Sequence, residues 1–256
     1  MRNLNVTLVQ CELVWEQPED NRRQIGGIIA GMYSDTDLIV LPEMFTTGFS
    51  MNARGNAEEP GSATEVWLTN LARQYDCAVT GSIAVRVGEG FYNRMLFATP
   101  DGMQFYDKRH LFRMAGEHER YLPGQERVVV QWRDWRILLQ VCYDLRFPVF
   151  SRNREDYDLA LYVANWPAAR RHHWRQLLIA RAIENLACVV GVNRVGADAK
   201  GLKYSGDSLA VAADGSLLKD ALNENGATQV MLDGAALQKY REGFPCHLDA
   251  DRFQLP

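Results

Sequence analysis

The stretch RILLQVCYDLRFP, residues 136–148, carries the feature that decides how this chain is interpreted. Its apolar first half predicts a buried β-strand, and Pro148 is typical of the first turn of a helix. Cys142 lies between the two, in a polar turn. An α/β enzyme commonly places its nucleophile where a strand ends and a helix begins. A single cysteine is more often a buried packing residue, so this position needs support from the rest of the sequence.

Two further predicted strands end in a charged residue. The stretch LIVLPE, residues 38–43, ends in Glu43, and the stretch QFYDK, residues 104–108, ends in Lys108. Taken singly, Glu43 would be a surface or helix N-terminal carboxylate. Lys108 would be a lysine whose stem covers apolar surface while its ammonium stays in water. Together with Cys142 they form a specific pattern, in which a carboxylate, an ammonium and a thiol each follow a strand.

These three segments resemble the nitrilase superfamily of carbon–nitrogen hydrolases. The blocks that carry the resemblance are LPE at 41–43 with FTTG at 45–48, DKRHLF at 107–112, CYDLRFP at 142–148, NWP at 165–167, RAIEN at 181–185 and NRVG at 193–196. The resemblance extends from near residue 1 to at least Asp214. Within the superfamily, the run HLFRMAGEHE at 110–119 is similar to the omega-amidase branch.

The resemblance implies a role for each of these side chains in amide hydrolysis. Cys142 is expected to be the nucleophile. Glu43 is expected to be the general base, which takes the thiol proton, passes it to the leaving ammonia and then activates water. Lys108 is expected to stabilise the tetrahedral oxyanion, together with the backbone N–H of Tyr143.

The family also uses a second glutamate after the lysine. Glu117 and Glu119 both lie in this region, and the similarity to the omega-amidase branch favours Glu117. His110 and His118 are close in sequence, but a Cys-His-Asn triad is not needed because Glu43 already provides a base.

Substrate recognition is expected to involve arginine and aromatic side chains next to these blocks. Family omega-amidases cleave the terminal amide of short α-keto acid amides such as 2-oxoglutaramate, whose distant carboxylate favours a cationic partner. Arg146 and Arg170 are the candidates, and each is equally a partner for an ion pair within the fold. An aromatic wall would keep the acyl pocket small and dry. Its candidates, for each of which core packing is an equal alternative, are Phe45, Phe49, Tyr143 and Trp166.

The composition is that of a globular protein. Of the 256 residues, 47% are hydrophobic and 23% are charged, and no low-complexity tract or Pro/Gly/Ser-rich linker divides them. We therefore predict one carbon–nitrogen hydrolase domain over residues 1–256. The formal net charge of -4 argues against nucleic acid as a partner, since nucleic-acid binding usually needs a basic face.

Neither a membrane nor a cofactor is expected. The N-terminus lacks the apolar core of a signal peptide, and no apolar stretch approaches the roughly 20 residues needed to cross a bilayer. The five cysteines are scattered and form no CxxC pair, which suits a reducing cytoplasm. No cluster of His, Asp or Glu is typical of a metal centre, and no phosphate loop or dinucleotide fingerprint occurs. We predict a cytoplasmic protein with a small-molecule amide substrate and without metal or other cofactor.

Strand and helix patterns are mixed along the chain, and hairpin signals are frequent. Strands are predicted near residues 4–8, 38–41, 78–87, 92–98, 103–106, 128–131, 136–141, 159–163, 188–192, 208–211, 216–218 and 229–232. Helices are predicted near residues 18–32, 66–75, 172–185 and 234–240. Because a purely parallel sheet would have fewer hairpins, two packed mixed sheets fit better. The resemblance implies the same α/β fold, an α-β-β-α sandwich of two mixed sheets flanked by helices, which usually forms a homodimer through its outer helices.

We therefore interpret the chain as a thiol amidase, most similar to an omega-amidase, that forms a cysteine thioester and releases ammonia. N-carbamoyl-amine or nitrile hydrolysis on the same residues is an alternative. A non-catalytic binding protein and an acyltransferase that passes the thioester to an amine are alternatives of a different class. The intact set of Glu43, Lys108 and Cys142 argues against the non-catalytic alternative, and ammonia release without an added amine would separate a hydrolase from a transferase.

Overall fold

The structure is a computed structural model, which describes residues 1–32, 35–251 and 253. Within these residues the strands are β1 (Leu4–Gln10), β2 (Leu38–Val40), β3 (Ala78–Val87), β4 (Gly90–Thr99), β5 (Gly102–Asp107), β6 (Val129–Trp132), β7 (Trp135–Val141), β8 (Leu159–Ala164), β9 (Cys188–Asn193), β10 (Val195–Ala197), β11 (Lys203–Ser205), β12 (Leu209–Val211), β13 (Leu217–Asp220) and β14 (Gly226–Leu232). The helices are α1 (Pro18–Ala30), α2 (Ala53–Asn56), α3 (Ala63–Tyr75), α4 (Pro148–Ser151), α5 (Arg171–Asn185) and α6 (Gly234–Gly243).

The strands form two six-stranded sheets and a separate hairpin. The first sheet has the order β14-β1-β2-β3-β4-β5, the second has the order β13-β12-β9-β8-β7-β6, and β10 pairs with β11. The central strands of each sheet, β1 to β3 and β7 to β9, pair in parallel. The outer strands pair antiparallel. Both sheets are therefore mixed, which accounts for the many hairpin signals in the sequence.

The two sheets face each other across an apolar core. Phe97 of the first sheet and Leu139 of the second belong to the same buried cluster. On the outer face of the first sheet, Ile25 of α1 and Leu68 of α3 pack against the strands. On the outer face of the second sheet, Leu178 of α5 does the same. The predicted α-β-β-α sandwich is confirmed.

The predicted strands and helices agree with the structure, apart from shifts of a few residues at their ends. The sequence analysis did not predict the hairpin of β10 and β11, because strands of three residues are too short to show an alternating pattern. Gly201 lies between them with a φ of 76°, a left-handed conformation that suits glycine in the turn. None of the helices in the described residues is long and apolar enough to cross a membrane. The single domain stays a prediction.

Rows of core-facing side chains change from apolar to polar at one end of the sandwich. Because side chains alternate along a strand, residues two apart share a face. Three buried pairs follow this spacing: Met95 and Asn93 on β4, Tyr106 and Lys108 at the end of β5, and Val163 and Asn165 at the end of β8. This end of the core is where the polar site is built.

Candidate active site

Cys142 lies in a strained turn directly after β7. Its φ of 48° is in the left-handed region, which costs a non-glycine residue about 1–3 kcal/mol. The buried carboxylate of Asp144 holds this turn. It accepts hydrogen bonds from the backbone N–H of Val141 at 3.0 Å and from the hydroxyl of Tyr106 at 2.7 Å. These contacts fix the direction in which the Cys142 side chain points.

Lys108 is enclosed by two carboxylates. Its Nζ donates to Oε1 of Glu43 at 2.9 Å and to both carboxylate oxygens of Glu117 at 3.0 Å. All three side chains are fully buried. Burial lowers the pKa of an ammonium, but the charges of Glu117 and Glu43 outweigh it, so the pKa of Lys108 lies above its usual range. Lys108 is therefore a cation throughout the neutral pH range.

Of the two candidates for the second glutamate, Glu117 is the one that contacts Lys108. Glu117 is buried, and its Oε2 also accepts the backbone N–H of Phe112 at 2.6 Å. Burial, the largest cause, and the charge of Glu43 raise the pKa of Glu117, and Lys108 offsets part of this rise. Glu119, two residues further along the chain, is exposed.

The thiol of Cys142 is buried beside the same charged groups, although Cys142 as a whole residue is partly exposed. Burial raises its pKa well above the ordinary value, the charge of Glu43 and a hydrogen bond to that carboxylate raise it further, and Lys108 lowers it. The resting thiol is therefore protonated at neutral pH and has a proton acceptor next to it. During attack on a substrate, the thiol proton can move to Glu43.

Two buried asparagines to which the sequence analysis gave no role, Asn93 and Asn165, contact the carboxylates. Nδ2 of Asn93 donates to Oε1 of Glu43 at 2.8 Å and to Oε1 of Glu117 at 3.2 Å. The backbone N–H of Asn165 donates to Oε2 of Glu43 at 2.8 Å, and its Nδ2 donates to the Glu43 carbonyl. A signal for both was present in the sequence, because each continues a core-facing apolar row with a polar side chain.

A cavity of about 210 Å³ opens at Cys142. Its lining contains every residue of the predicted substrate-binding set: Phe49, Tyr143, Arg146, Trp166 and Arg170. Phe45, the remaining candidate for the aromatic wall, does not line it. Phe45 packs against Trp67 on the outer side of the first sheet, at 6.0 Å between ring centroids, so its predicted role is wrong.

Arg146 and Arg170 are cations without a carboxylate partner in the part of the chain that the structure describes. The Arg146 guanidinium lies 4.8 Å from the Trp166 ring and contacts Nδ1 of His173 at 3.1 Å. The Arg170 guanidinium lies 5.5 Å from the Phe112 ring. The alternative that these arginines serve as ion-pair partners within the fold therefore has no support among the described residues.

One wall of the cavity comes from the hairpin of β10 and β11, which carries Asp198, Lys200, Leu202 and Tyr204. The Asp198 carboxylate is engaged within the hairpin, because it accepts the backbone N–H groups of Lys200 and Leu202 and the Tyr204 hydroxyl. Lys200 adds a third cation to the lining. No group of three or more metal-ligating side chains occurs among the described residues.

A family model for carbon-nitrogen hydrolases matches residues 5–242. The chain belongs to the carbon–nitrogen hydrolase family. The resemblance to the nitrilase superfamily is thereby confirmed, and the match covers the strand ends that carry Glu43, Lys108 and Cys142.

Relatives within the carbon–nitrogen hydrolase family share the length and fold of this chain. The omega-amidase YafV of Yersinia enterocolitica is 52% identical, and the alignment covers 100% of each chain. The 2-oxoglutaramate amidase of Bacillus subtilis is 30% identical, with 94% of this chain and 95% of the relative covered. A CN-hydrolase superfamily protein of Xanthomonas campestris, whose crystal structure contains an arsenic adduct in the active site, is 45% identical with a TM-score of 0.98 and 100% coverage of both chains.

Because Glu117 contacts Lys108 and Glu119 is exposed, variants of the two glutamates should differ in activity. We expect Glu117→Gln to lower kcat by about a hundredfold or more, because Lys108 loses a charge partner that holds its ammonium in place. Glu119→Gln changes an exposed side chain and is expected to have little effect. Steady-state ammonia release from both variants, with circular dichroism as the folding control, tests this. A larger loss from Glu119→Gln would contradict the assignment.

Proposed function

We propose that this carbon–nitrogen hydrolase is an omega-amidase, which hydrolyses the terminal amide of a short omega-amide that carries a free carboxylate. The observation that supports this best is the contact of Glu43, Lys108 and Cys142 at a small cavity whose lining also contains Arg146 and Arg170. The names of the relatives, omega-amidase and 2-oxoglutaramate amidase, agree with this chemistry.

In the first half of the reaction, the sulfur of Cys142 attacks the amide carbon while Glu43 takes the thiol proton. The negative charge that develops on the carbonyl oxygen is stabilised by Lys108 and by the backbone N–H of Tyr143. As the tetrahedral intermediate collapses, the carbon–nitrogen bond breaks and Glu43 returns its proton to the nitrogen. Ammonia leaves, and the acyl group remains on sulfur as a thioester.

In the second half, water replaces ammonia at the same position. Glu43 takes a proton from the water as its oxygen attacks the thioester carbon. The carbon–sulfur bond then breaks, the acid product forms, and the proton on Glu43 returns to Cys142. Glu117 takes no proton in this sequence, because its role is to keep Lys108 charged and in place.

The experiment that tests the proposed function is a panel of short amides, N-carbamoyl amines and nitriles, assayed for ammonia release without an added amine. We expect a carboxylate-bearing omega-amide such as 2-oxoglutaramate to be the best substrate. Activity restricted to nitriles or carbamoyl compounds would contradict the omega-amidase assignment. A requirement for an added amine acceptor would indicate an acyltransferase instead.

The preference for a distant carboxylate is expected to depend on Arg146 or Arg170. A charge-assisted hydrogen bond contributes about 1.5–3 kcal/mol, or about ten- to a hundredfold in kcat/KM. Replacing the arginine that binds the carboxylate with glutamine should erase most of the preference for the free acid over its ester. Turnover of the ester itself should hardly change.

The matched control for this experiment is Arg171→Gln. Arg171 is adjacent to Arg170 in sequence, but it pairs with Asp207 and does not line the cavity. The Arg171→Gln change should leave the preference for the free acid over its ester unchanged. An equal loss on acid and ester in both cavity variants would indicate structural arginines, and a wild-type enzyme that ignores the carboxylate would contradict the omega-amidase proposal.

We also propose a cytoplasmic homodimer of single-domain protomers. The outer helix α5 exposes Ile183, and the neighbouring edge strand β13 exposes Leu217 and Leu218, which gives an apolar face for a second copy. All five cysteines are free thiols, in agreement with a reducing compartment. Light scattering of the purified protein tests the assembly, and a monomeric mass would contradict it. Cell fractionation tests the compartment.

A further inference from the structure

We infer that Asn93 is a positioning residue, which keeps the carboxylates of Glu43 and Glu117 ionised side by side during amide hydrolysis. The inference rests on the proposed function, since that assigns Glu43 as the base. Asn93 and Lys108 complete a closed ring of hydrogen bonds. Nζ of Lys108 and Nδ2 of Asn93 each donate to Oε1 of Glu43 and to Oε1 of Glu117, at distances between 2.8 and 3.2 Å.

The ring brings two buried carboxylates together around a single cation. Two like charges at close range disfavour the state in which both are ionised, and burial adds to this effect. Lys108 offsets one of the two charges. The two N–H bonds of the Asn93 amide stabilise the remaining charge without adding a second cation. The other oxygens, Oε2 of Glu43 and Oε2 of Glu117, accept the backbone N–H groups of Asn165 and Phe112.

The Asn93 amide differs from structural asparagines in the same core. Asn21, Asn185 and Asn193 use both ends of the amide, with Oδ1 accepting and Nδ2 donating. Oδ1 of Asn93 is buried and has no hydrogen-bond partner among the described residues. Turning the amide over would set Oδ1 against two carboxylates, so the orientation is fixed by the charges. Asn93 therefore leaves its acceptor unbonded while it donates to Glu43 and Glu117.

The backbone of Asn93 is also joined to the site. Its carbonyl accepts the N–H of Lys108 at 2.9 Å, next to the pairing of Arg94 with Asp107 between β4 and β5. Asn93 thus contacts Glu43 and Glu117 through its side chain and Lys108 through its backbone. Among the described residues, the Cys142 thiol and the phenols of Tyr121 and Tyr204 also interact electrostatically with these charged groups.

Loss of the Asn93 donors favours uptake of a proton by the carboxylate pair. Because Glu43 must be ionised to act as a base, the acid limb of the pH profile should move to higher pH. The loss of a hydrogen bond to a charged group corresponds to about one pH unit, and thus to about tenfold in rate at a pH on the acid limb. The pKa that sets the acid limb is a property of the interacting pair of carboxylates, not of Glu43 or Glu117 alone. KM should change little, because Asn93 does not line the cavity.

The test compares kcat and KM for a carboxylate-bearing omega-amide from about pH 5 to about pH 9 in wild type, Asn93→Leu and Asn93→Asp. We expect both acid limbs to shift upward, and Asn93→Asp to shift further because it adds a third carboxylate around Lys108. Asn185→Leu, which removes a buried amide away from the ring, should leave the limb in place.

An equal fractional loss at every pH, with the acid limb at its wild-type position, would overturn the inference and leave Asn93 with a structural role. Asn93→Ala, which removes the amide donors without adding a charge, decides the question if Asn93→Leu does not fold, and an unshifted acid limb in Asn93→Asp would also overturn the inference. A wild-type enzyme that releases ammonia from no amide would overturn the proposed function and this inference together. Normal wild-type hydrolysis with unshifted limbs would overturn the inference alone.

Discussion

Cys142→Ala is expected to give a folded protein that releases almost no ammonia, and Cys142→Ser is expected to behave in the same way. Without the sulfur no thioester forms, and loss of a nucleophile typically lowers kcat by about 10⁴-fold or more. The serine hydroxyl is a weak nucleophile unless a base is aligned for it, and Glu43 is aligned for sulfur. Ammonia release and circular dichroism of each variant test this. Wild-type turnover by Cys142→Ala would rule out the thioester mechanism.

Alkylation gives an independent test of the same thiol. Iodoacetamide should inactivate the enzyme by modifying Cys142, and saturating substrate should slow the reaction. The rate should increase with pH, because the raised pKa of Cys142 keeps the resting thiol protonated. Cys246→Ala is the matched control, since Cys246 is the other partly exposed cysteine. Equal labelling of all five cysteines, unaffected by substrate, would count against a nucleophile at Cys142.

Glu43→Gln and Lys108→Met are each expected to lower kcat by more than about a thousandfold. Removal of a general base or of an oxyanion stabiliser typically costs about 10²–10⁴-fold. Both side chains are fully buried and contact each other, so each change also disturbs the remaining partner. Stopped-time ammonia assays at saturating substrate measure the effect. Glu155→Gln and Lys239→Met, which change exposed side chains, are the matched controls.

The Glu43 variant has a second consequence that separates a base from a residue that merely supports the thiol. Both the charge of Glu43 and its hydrogen bond raise the pKa of Cys142. Glu43→Gln should therefore lower that pKa, and alkylation of Cys142 near neutral pH should be at least as fast as in wild type. Turnover would be lost while the thiol stays reactive. If alkylation slows in parallel with turnover, Glu43 promotes thiolate formation in the resting enzyme, and the expected decrease in the pKa of Cys142 would be contradicted.

The sequence was most informative where a strand ends in a functional side chain. Glu43 and Cys142 each follow an apolar run, Lys108 follows an aromatic strand, and such patterns indicate both the strand and its end. The hairpin signals between these strands favoured two mixed sheets over a purely parallel sheet, in agreement with the fold that the resemblance implied. These features depend on local patterns that a single chain displays.

Contacts between residues that are far apart in the chain could not be predicted from the sequence. Asn93 is 50 positions from Glu43 and 24 from Glu117, and its contacts depend on how β4 pairs with β5. The choice between Glu117 and Glu119 rested on resemblance, because a short turn decides which side chain faces inward. The cavity wall from β10 and β11 was missed since those strands are too short to show a pattern.

The apolar core stabilises the fold and also sets the distance between the catalytic residues of the two sheets. Glu43 and Lys108 follow strands of one sheet, Cys142 follows a strand of the other, and packed side chains such as Met95 and Leu139 lie between the sheets. The spacing of the two sheets therefore sets the alignment of base and nucleophile. A misplacement of about 1 Å can cost about a hundredfold in rate. Core residues far from any substrate thus contribute to catalysis, and a change in the spacing of the two sheets should lower turnover before any strand unfolds.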